Sequence, residues 1–220
     1  ELDRAARAVA VQLQDRTRQG DRALLLFPPG LDFVRAFIGC LYAGVVAVPV
    51  YPPRRNRSLD RLVAVAADAG AAVALTSAGV AKSLDRGDAI GLDVPLVVTD
   101  SAESGRADDW REPTRTRDDI AFLQYTSGST GTPKGVMVTH GNLLHNCELI
   151  KVAYSHSSDS VFVSWLPVFH DMGLVGMVLE PIYTGSHSVL MEPAAFLQKP
   201  ARWLRAITKY GGTTSGAPNS

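Results

Sequence analysis

What the sequence lacks narrows its class before any motif is read. It has 2 cysteines in 220 residues, Cys40 and Cys147, far apart and without CxxC spacing. A disulfide framework or a cysteine-ligated metal has nothing to be built from. Both cysteines lie in apolar, helix-like stretches and are expected to be buried, reduced thiols, as in a cytoplasmic protein. Lys plus Arg and Asp plus Glu each number 22, giving a formal net charge of +0, whereas a nucleic-acid footprint or a polybasic membrane patch needs a basic excess. No apolar run approaches the ~18 residues that cross a bilayer. The opening ELDRAARAVA has neither an initiating Met nor a signal-peptide pattern, and TTSGAPNS stops just after a strand-like segment. The chain therefore reads as a piece of a larger protein. Repeats of fixed period and low-complexity tracts are absent as well.

What is there is an alternation of strand-like and helix-like segments, long enough to bury roughly 70% of the unfolded surface in a packed core. Residues 22–27 (RALLLF) read as a strand. Phe33, Val34, Phe37, Ile38, Leu41 and Tyr42 mark one helical face that Gly44 ends, and VVAVPV is strand-like again. Ser58 is placed to cap a helix reaching Ala69. AAVALT and PLVVTD read as short strands, and the Arg- and Asp-rich residues 100–119 as a surface connection. That connection divides the chain into segments 1–110 and 111–220 of one domain. Beyond it, residues 142–151, 172–183 and 200–210 read as helices and VFVSWL and HSVLM as strands, with Pro181 expected to bend or end the second of these helices. Alternating strands and helices predict an α/β protein with helix-flanked, mostly parallel sheets.

The stretch YTSGSTGTPKG, residues 125–135, carries the chemistry. A polyphosphate needs converging backbone N–H groups, hydroxyl donors and a mobile cation. Gly128 and Gly131, the hydroxyls of Thr126, Ser127, Ser129, Thr130 and Thr132, and Lys134 supply all three. A flexible linker would need neither the strand-like flanks IAFLQY and VMVTH nor the stiffening Pro133. A Walker loop is excluded by context: its lysine begins a helix, whereas Lys134 follows Pro133 and leads into a strand pattern. The loop is expected to join two strands as a hairpin.

YTSGSTGTPKG resembles the signature loop of the adenylate-forming superfamily. SWLPVFHDMGLVG (residues 164–176) resembles its second core motif, and its His-Asp-Met-Gly ending resembles the fatty acyl-AMP ligase branch. AVPVYPP, AAFLQKPARWLRAI and TSGAPN are similar to further stretches of that branch, so the resemblance runs from about Gly20 to Asn219. It implies the first half of the large N-terminal domain of those enzymes, with the mobile C-terminal domain absent. The implied reaction is attack of a fatty acid carboxylate on ATP, normally with Mg²⁺, to give acyl-adenylate and pyrophosphate, the acyl group then passing to an acyl-carrier protein. The phosphate cradle would be Thr126 to Thr132 with Lys134.

The resemblance further implies that His170 lies beside the acyl-adenylate, where a neutral imidazole would donate a hydrogen bond to the substrate. Asp171 would fix the tautomer of His170 or cap the following helix. Trp165, Phe169, Met172, Val175, Trp203 and the segment containing Gly216 and Pro218 would line the acyl tunnel. His140, His145, His156 and His187 have no ligand spacing and read as structural or exposed. No metal ligands are assigned. In one respect the chain departs from the branch: Ser220 stands where an aromatic residue commonly follows Pro-Asn. A long-chain acyl-CoA synthetase, with coenzyme A as acceptor, is the close rival. An amino-acid adenylation domain fits the motifs less well, and a binding segment without turnover is the reading from another class. In resembling enzymes the adenine loop, the Mg²⁺-holding acid, the ribose-binding Asp and the catalytic lysine come later than these motifs.

Overall fold

The computed structural model of the chain describes residues 1–51, 59–85, 92–100, 104–126 and 133–217. In chain order its elements are α1 (Leu2–Gln14), β1 (Arg22–Leu26), α2 (Leu31–Ala43), β2 (Val46–Val50), α3 (Asp60–Ala69), β3 (Ala71–Thr76), α4 (Ala78–Asp85), β4 (Leu96–Val98), a 3₁₀ turn (Ser104–Asp109), β5 (Ile120–Thr126) and β6 (Lys134–Thr139). They are followed by α5 (His140–Tyr154), β7 (Val161–Ser164), α6 (Asp171–Leu174), a π turn (Val175–Leu179), α7 (Glu180–Thr184), β8 (His187–Leu190), α8 (Pro193–Gln198) and α9 (Ala201–Tyr210). Two compact units result, Glu1–His140 and Gly141–Ser220.

The first unit holds one sheet in the order β4-β3-β1-β2-β5-β6. Its pairs are parallel except β5 with β6, which run antiparallel. β1 and β2 are central and nearly all apolar, as strands covered on both faces must be; every residue of β2 is buried. Leu24, Leu26, Val48 and Val50 pack with Leu62, Val65, Ala66 and Ala69 of α3 and with Leu84 of α4. The alternate residues face the other way, where α2 packs on β1 and β2 and Phe37 meets Phe122 edge-on at 5.6 Å. α2 ends where the sequence places its stop: Gly44 sits in the left-handed region at φ 73, which costs glycine least.

Pro49 in the middle of β2 is unusual, because proline cannot donate to a ladder. The pairing of β2 with β5 is confined to Ala47↔Phe122, so on that side Pro49 has no ladder bond to lose. The Ser58 cap lies outside the described residues; α3 begins after Leu59 with no side-chain cap.

The polar connection does not separate the two units. Arg106 Nη1 donates to Asp15 Oδ2 at 2.9 Å, Gln14 Nε2 to the Arg111 carbonyl at 2.6 Å and Trp110 Nε1 to the Tyr42 carbonyl at 2.8 Å. These bonds tie it to α1 and α2, and the contacts divide the chain at 140/141 instead of near 110.

In the second unit β7 and β8 form a parallel pair, Val161↔His187 through Ser164↔Leu190, and Thr214 bridges to Phe162. Pro181, expected to bend or end the helix, does not end it. The chain winds through α6, the π turn and α7 to Thr184, with Pro181 in the first turn of α7. The wider turn before it displaces the carbonyl that a proline ring would strike in an unbroken α-helix.

Both cysteines are free and buried. Burial pushes the Cys40 thiol far above its ordinary range. Burial, then the charge of Glu180, pushes Cys147 from 9.0 up to about 12. Unfolded thiols ionise near 9.0 while the folded ones keep their protons, so this contribution to stability is whole below that pH and fades as pH rises toward 12. We expect a thiol reagent at pH ~8 to find no cysteine in the folded chain and both after denaturation, with midpoint stability flat up to pH ~9 and falling above it.

Candidate functional site

In the first unit the stem of the Ser/Gly/Thr stretch is the β5/β6 hairpin. Register places Thr126 opposite Lys134 and Tyr125 opposite Gly135, so the strand ends fix Thr126 and Lys134 as neighbours, both exposed. Ser127, Gly128, Ser129, Thr130, Gly131 and Thr132 lie outside the described residues. The stem is pinned from α3. Tyr125 Oη donates to Asp68 Oδ2 at 2.5 Å, and Arg61 Nη2 donates to the Thr126 carbonyl at 3.4 Å. Burial, then Asp68, raises the Tyr125 pKa and keeps the phenol a donor. Gly135 lies under the Tyr125 ring: a Cβ there would stand 2.9 Å from Cζ, so the last glycine of the stretch makes room for the tyrosine.

In the second unit β7 delivers the chain to Trp165 and to a tight turn. His170 N donates to the Pro167 carbonyl at 3.1 Å and Leu174 N to the His170 carbonyl at 2.8 Å. Leu166, Val168 and Phe169 are buried, and the apolar anchoring of these three turns His170, Asp171 and Met172 outward, where all are exposed. Gly173 closes the turn: a Cβ on it would lie 2.2 Å from the Pro167 carbonyl oxygen.

Asp171 is the first residue of α6, whose N-cap is His170 with no side-chain cap bond. Its Oδ1 accepts from Met172 N at 2.7 Å and lies 2.6 Å from His170 Nδ1. A carboxylate only accepts, so it favours the hydrogen on Nδ1, and a neutral ring then offers Nε2 as an acceptor. In that tautomer Nε2 donates only when the ring carries a second proton. With the two side chains 65% and 71% exposed, the pair stabilises the fold little.

Trp165 stacks on Phe196 at 3.9 Å and 8°, and Trp203 meets both rings edge-on. Trp203 Nε1 donates to Ser215 Oγ at 2.8 Å, and Ser215 Oγ donates to the Val163 carbonyl at 2.5 Å. Gly216 faces Met177, whose Cε would stand 2.8 Å from a Cβ there. Trp165, Trp203 and Gly216 are thus gathered around β7, with Phe196 and Met177 as members that sequence reasoning missed. Phe196 lies in a quoted stretch, but its stacking partner is 31 positions away in the numbering, so no local pattern marks it. Pro218 lies outside the described residues.

Among the described residues no group of His, Cys, Asp or Glu could hold a metal ion, and no helix is long and apolar enough to cross a membrane. The described residues therefore do not by themselves fit Mg²⁺.

The sequence matches the AMP-binding enzyme family over residues 1–220, and the chain belongs to that family. Among curated proteins it is similar to JamA of Moorena producens (strain JHB), named as a medium-chain-fatty-acid acyl-carrier-protein ligase: 45% identity over 226 residues, 100% of this chain and 38% of JamA. FadD23 of Mycobacterium tuberculosis (strain CDC 1551 / Oshkosh), named as a long-chain-fatty-acid AMP ligase, is 41% identical over 225 residues, 96% of this chain and 38% of FadD23. The crystal structure of a fatty acyl-adenylate ligase from L. pneumophila in complex with acyl adenylate and pyrophosphate superposes with a TM-score of 0.92 at 44% identity, over 99% of this chain and 38% of that one. The chain spans about 38% of the length of these relatives. The expected helix-flanked, mostly parallel α/β architecture is borne out.

Because the obstacle at Gly173 is a backbone carbonyl, Gly173→Ala is expected to force the turn apart and lower stability by about 1–3 kcal/mol. Urea unfolding of the variant against the parent measures it.

Proposed function

We propose that the chain is the N-terminal part of a fatty acyl-AMP ligase, which joins a fatty acid to the α-phosphate of ATP, releases pyrophosphate and hands the acyl group to an acyl-carrier protein. The observation that carries this reading is the hairpin register, which sets Lys134 opposite Thr126 at the mouth of the glycine-rich stretch. A carboxylate approaching a polyphosphate meets like charge. One unit charge at 4 Å contributes about 4 kcal/mol at an effective dielectric constant of 20, so the cation at the strand end is well placed to offset the repulsion. As the carboxylate oxygen bonds to the α-phosphorus, the bond to the bridging oxygen breaks and pyrophosphate departs with the electron pair. Lys134, the hydroxyls from Thr126 to Thr132 and the backbone N–H groups between them are proposed to hold that leaving group.

In the second unit His170 is proposed to contact the substrate carboxylate as an imidazolium, donating from Nε2 while Nδ1 donates to Asp171, which orients the ring. Trp165, Phe169, Met172, Gly216 and Pro218 are proposed as acyl-chain contacts. Support comes from the JamA and FadD23 names, which specify fatty acids, and from the acyl adenylate and pyrophosphate in the L. pneumophila complex. The 220 residues alone are proposed to bind without turning over, since they span about 38% of those enzymes.

In the full-length protein Lys134→Ala is expected to slow fatty-acid-dependent pyrophosphate exchange about 10²–10³-fold, the cost of one preorganised charge-stabilising contact; exchange within about threefold of the parent would remove the lysine from the phosphate site. Product analysis with coenzyme A and an acyl-carrier protein both present is expected to give acyl-adenylate and acyl-carrier protein thioester. Acyl-CoA as the main product would assign the protein to the acyl-CoA synthetases.

A further inference from the structure

Away from the two motifs, the second unit buries a titratable cluster that the proposed chemistry does not use. His156 is 8% exposed and Glu180 0%, with Nδ1 and Oε1 3.1 Å apart. Because a carboxylate accepts, Nδ1 carries the hydrogen and Nε2 accepts from the Thr214 hydroxyl, 3.1 Å away. Tyr154 stacks on the imidazole at 5.6 Å and Phe162 meets it edge-on at 4.6 Å. Glu180 Oε2 has no oxygen or nitrogen partner among the described residues, and the buried Cys147 thiol interacts with the same carboxylate. Apolar side chains of similar volume would fill this space with less desolvation. Directed bonds, not burial, are what the pair supplies.

Those bonds join the two sides of one contact. Glu180 is the first residue of α7, directly after the π turn, and Met177 lies three positions before it. Thr214 runs beside β7, with Val163 N donating to its carbonyl at 2.9 Å, and Gly216 lies two positions after it. Gly216 and Met177 are the residues that face each other, with 2.8 Å between Met177 Cε and a Cβ built on Gly216. Glu180 holds the helix carrying Met177, Thr214 holds the segment carrying Gly216, and His156 bridges the two.

We propose that His156 and Glu180 are positioning residues that set the approach of Met177 to Gly216 through Thr214, and thereby the binding of the fatty acid chain. This rests on the acyl-binding role proposed for Gly216. Thr214→Val tests it in the full-length protein, since it removes one hydroxyl and strands no charge, whereas replacing Glu180 by an apolar residue risks the fold. Two readouts are taken: the methyl resonances of ¹³C-labelled methionine, with Met177 assigned through Met177→Leu and Met137 of β6 as internal control, and steady-state kinetics with dodecanoic acid and ATP. The expected result is a displaced Met177 resonance with Met137 unmoved, and a KM for dodecanoic acid raised about fivefold while kcat and the KM for ATP stay within about twofold. Glu180→Gln, which keeps an oxygen for Nδ1–H, is expected to fall between the parent and Thr214→Val. An unmoved Met177 resonance, or an acid KM within about twofold of the parent, overturns the inference. If the parent adenylates no dodecanoic acid, the function proposed above fails, and the Met177 resonance alone decides the positioning role.

Discussion

Two adjacent strands without a polar face have to be covered on both sides, and the first unit is arranged around that constraint. β1 and β2 pair along their full lengths, and a parallel pair can be reconnected only by a crossover that lies on a face of the sheet. The crossovers therefore cover both faces: α2 links β1 to β2 on one, and α3 and α4 pack on the other. Removing water from strands like these is the largest favourable contribution to such a fold. It also holds the C-terminal end of the sheet in place, where β5 arrives beside β2 and turns back as β6. The hairpin that positions Lys134 is the last consequence of a burial requirement that begins at Arg22.

Much of this was legible because the signals are local. The apolar runs of β1, β2 and β3, the helical face of α2 with its Gly44 stop, and the strand flanks of the hairpin can each be read within about a dozen residues. α1, α4 and α8 escaped the reading. α1 carries its charges, Asp3, Arg4 and Arg7, in its first half and buries small residues such as Ala6, Ala8 and Ala10, so much of its buried face is not marked by bulky apolar residues. α4 and α8 are short. At Pro181 the sequence marked an irregularity without its form, because a π turn is a property of the whole helix and its packing.

The candidate sites divide in the same way. Motif residues such as His170 and Lys134 were legible as residue types in a pattern. Their supports were not: Asp68 reaches Tyr125 across 57 positions and His156 reaches Thr214 across 58, and no periodicity links residues so far apart. His156 was read only as structural or exposed; the structure buries it. Its ring is held on four sides, by Glu180, Thr214, Tyr154 and Phe162, and only the folded arrangement shows what the histidine joins.

The turn from Leu166 to Gly173 keeps two kinds of constraint on separate residues. At Gly173 the limit is volume, because a main-chain carbonyl occupies the space a side chain would need. At His170, Asp171 and Met172 volume imposes almost nothing, since all three point outward. In a library randomised over these positions and selected only for folding, Gly173 should be the residue that survives, while the three before it drift. Whatever holds those three in place in a functioning lineage would then be selection on chemistry, and comparing the two selections would separate what the chain needs to fold from what it needs to act.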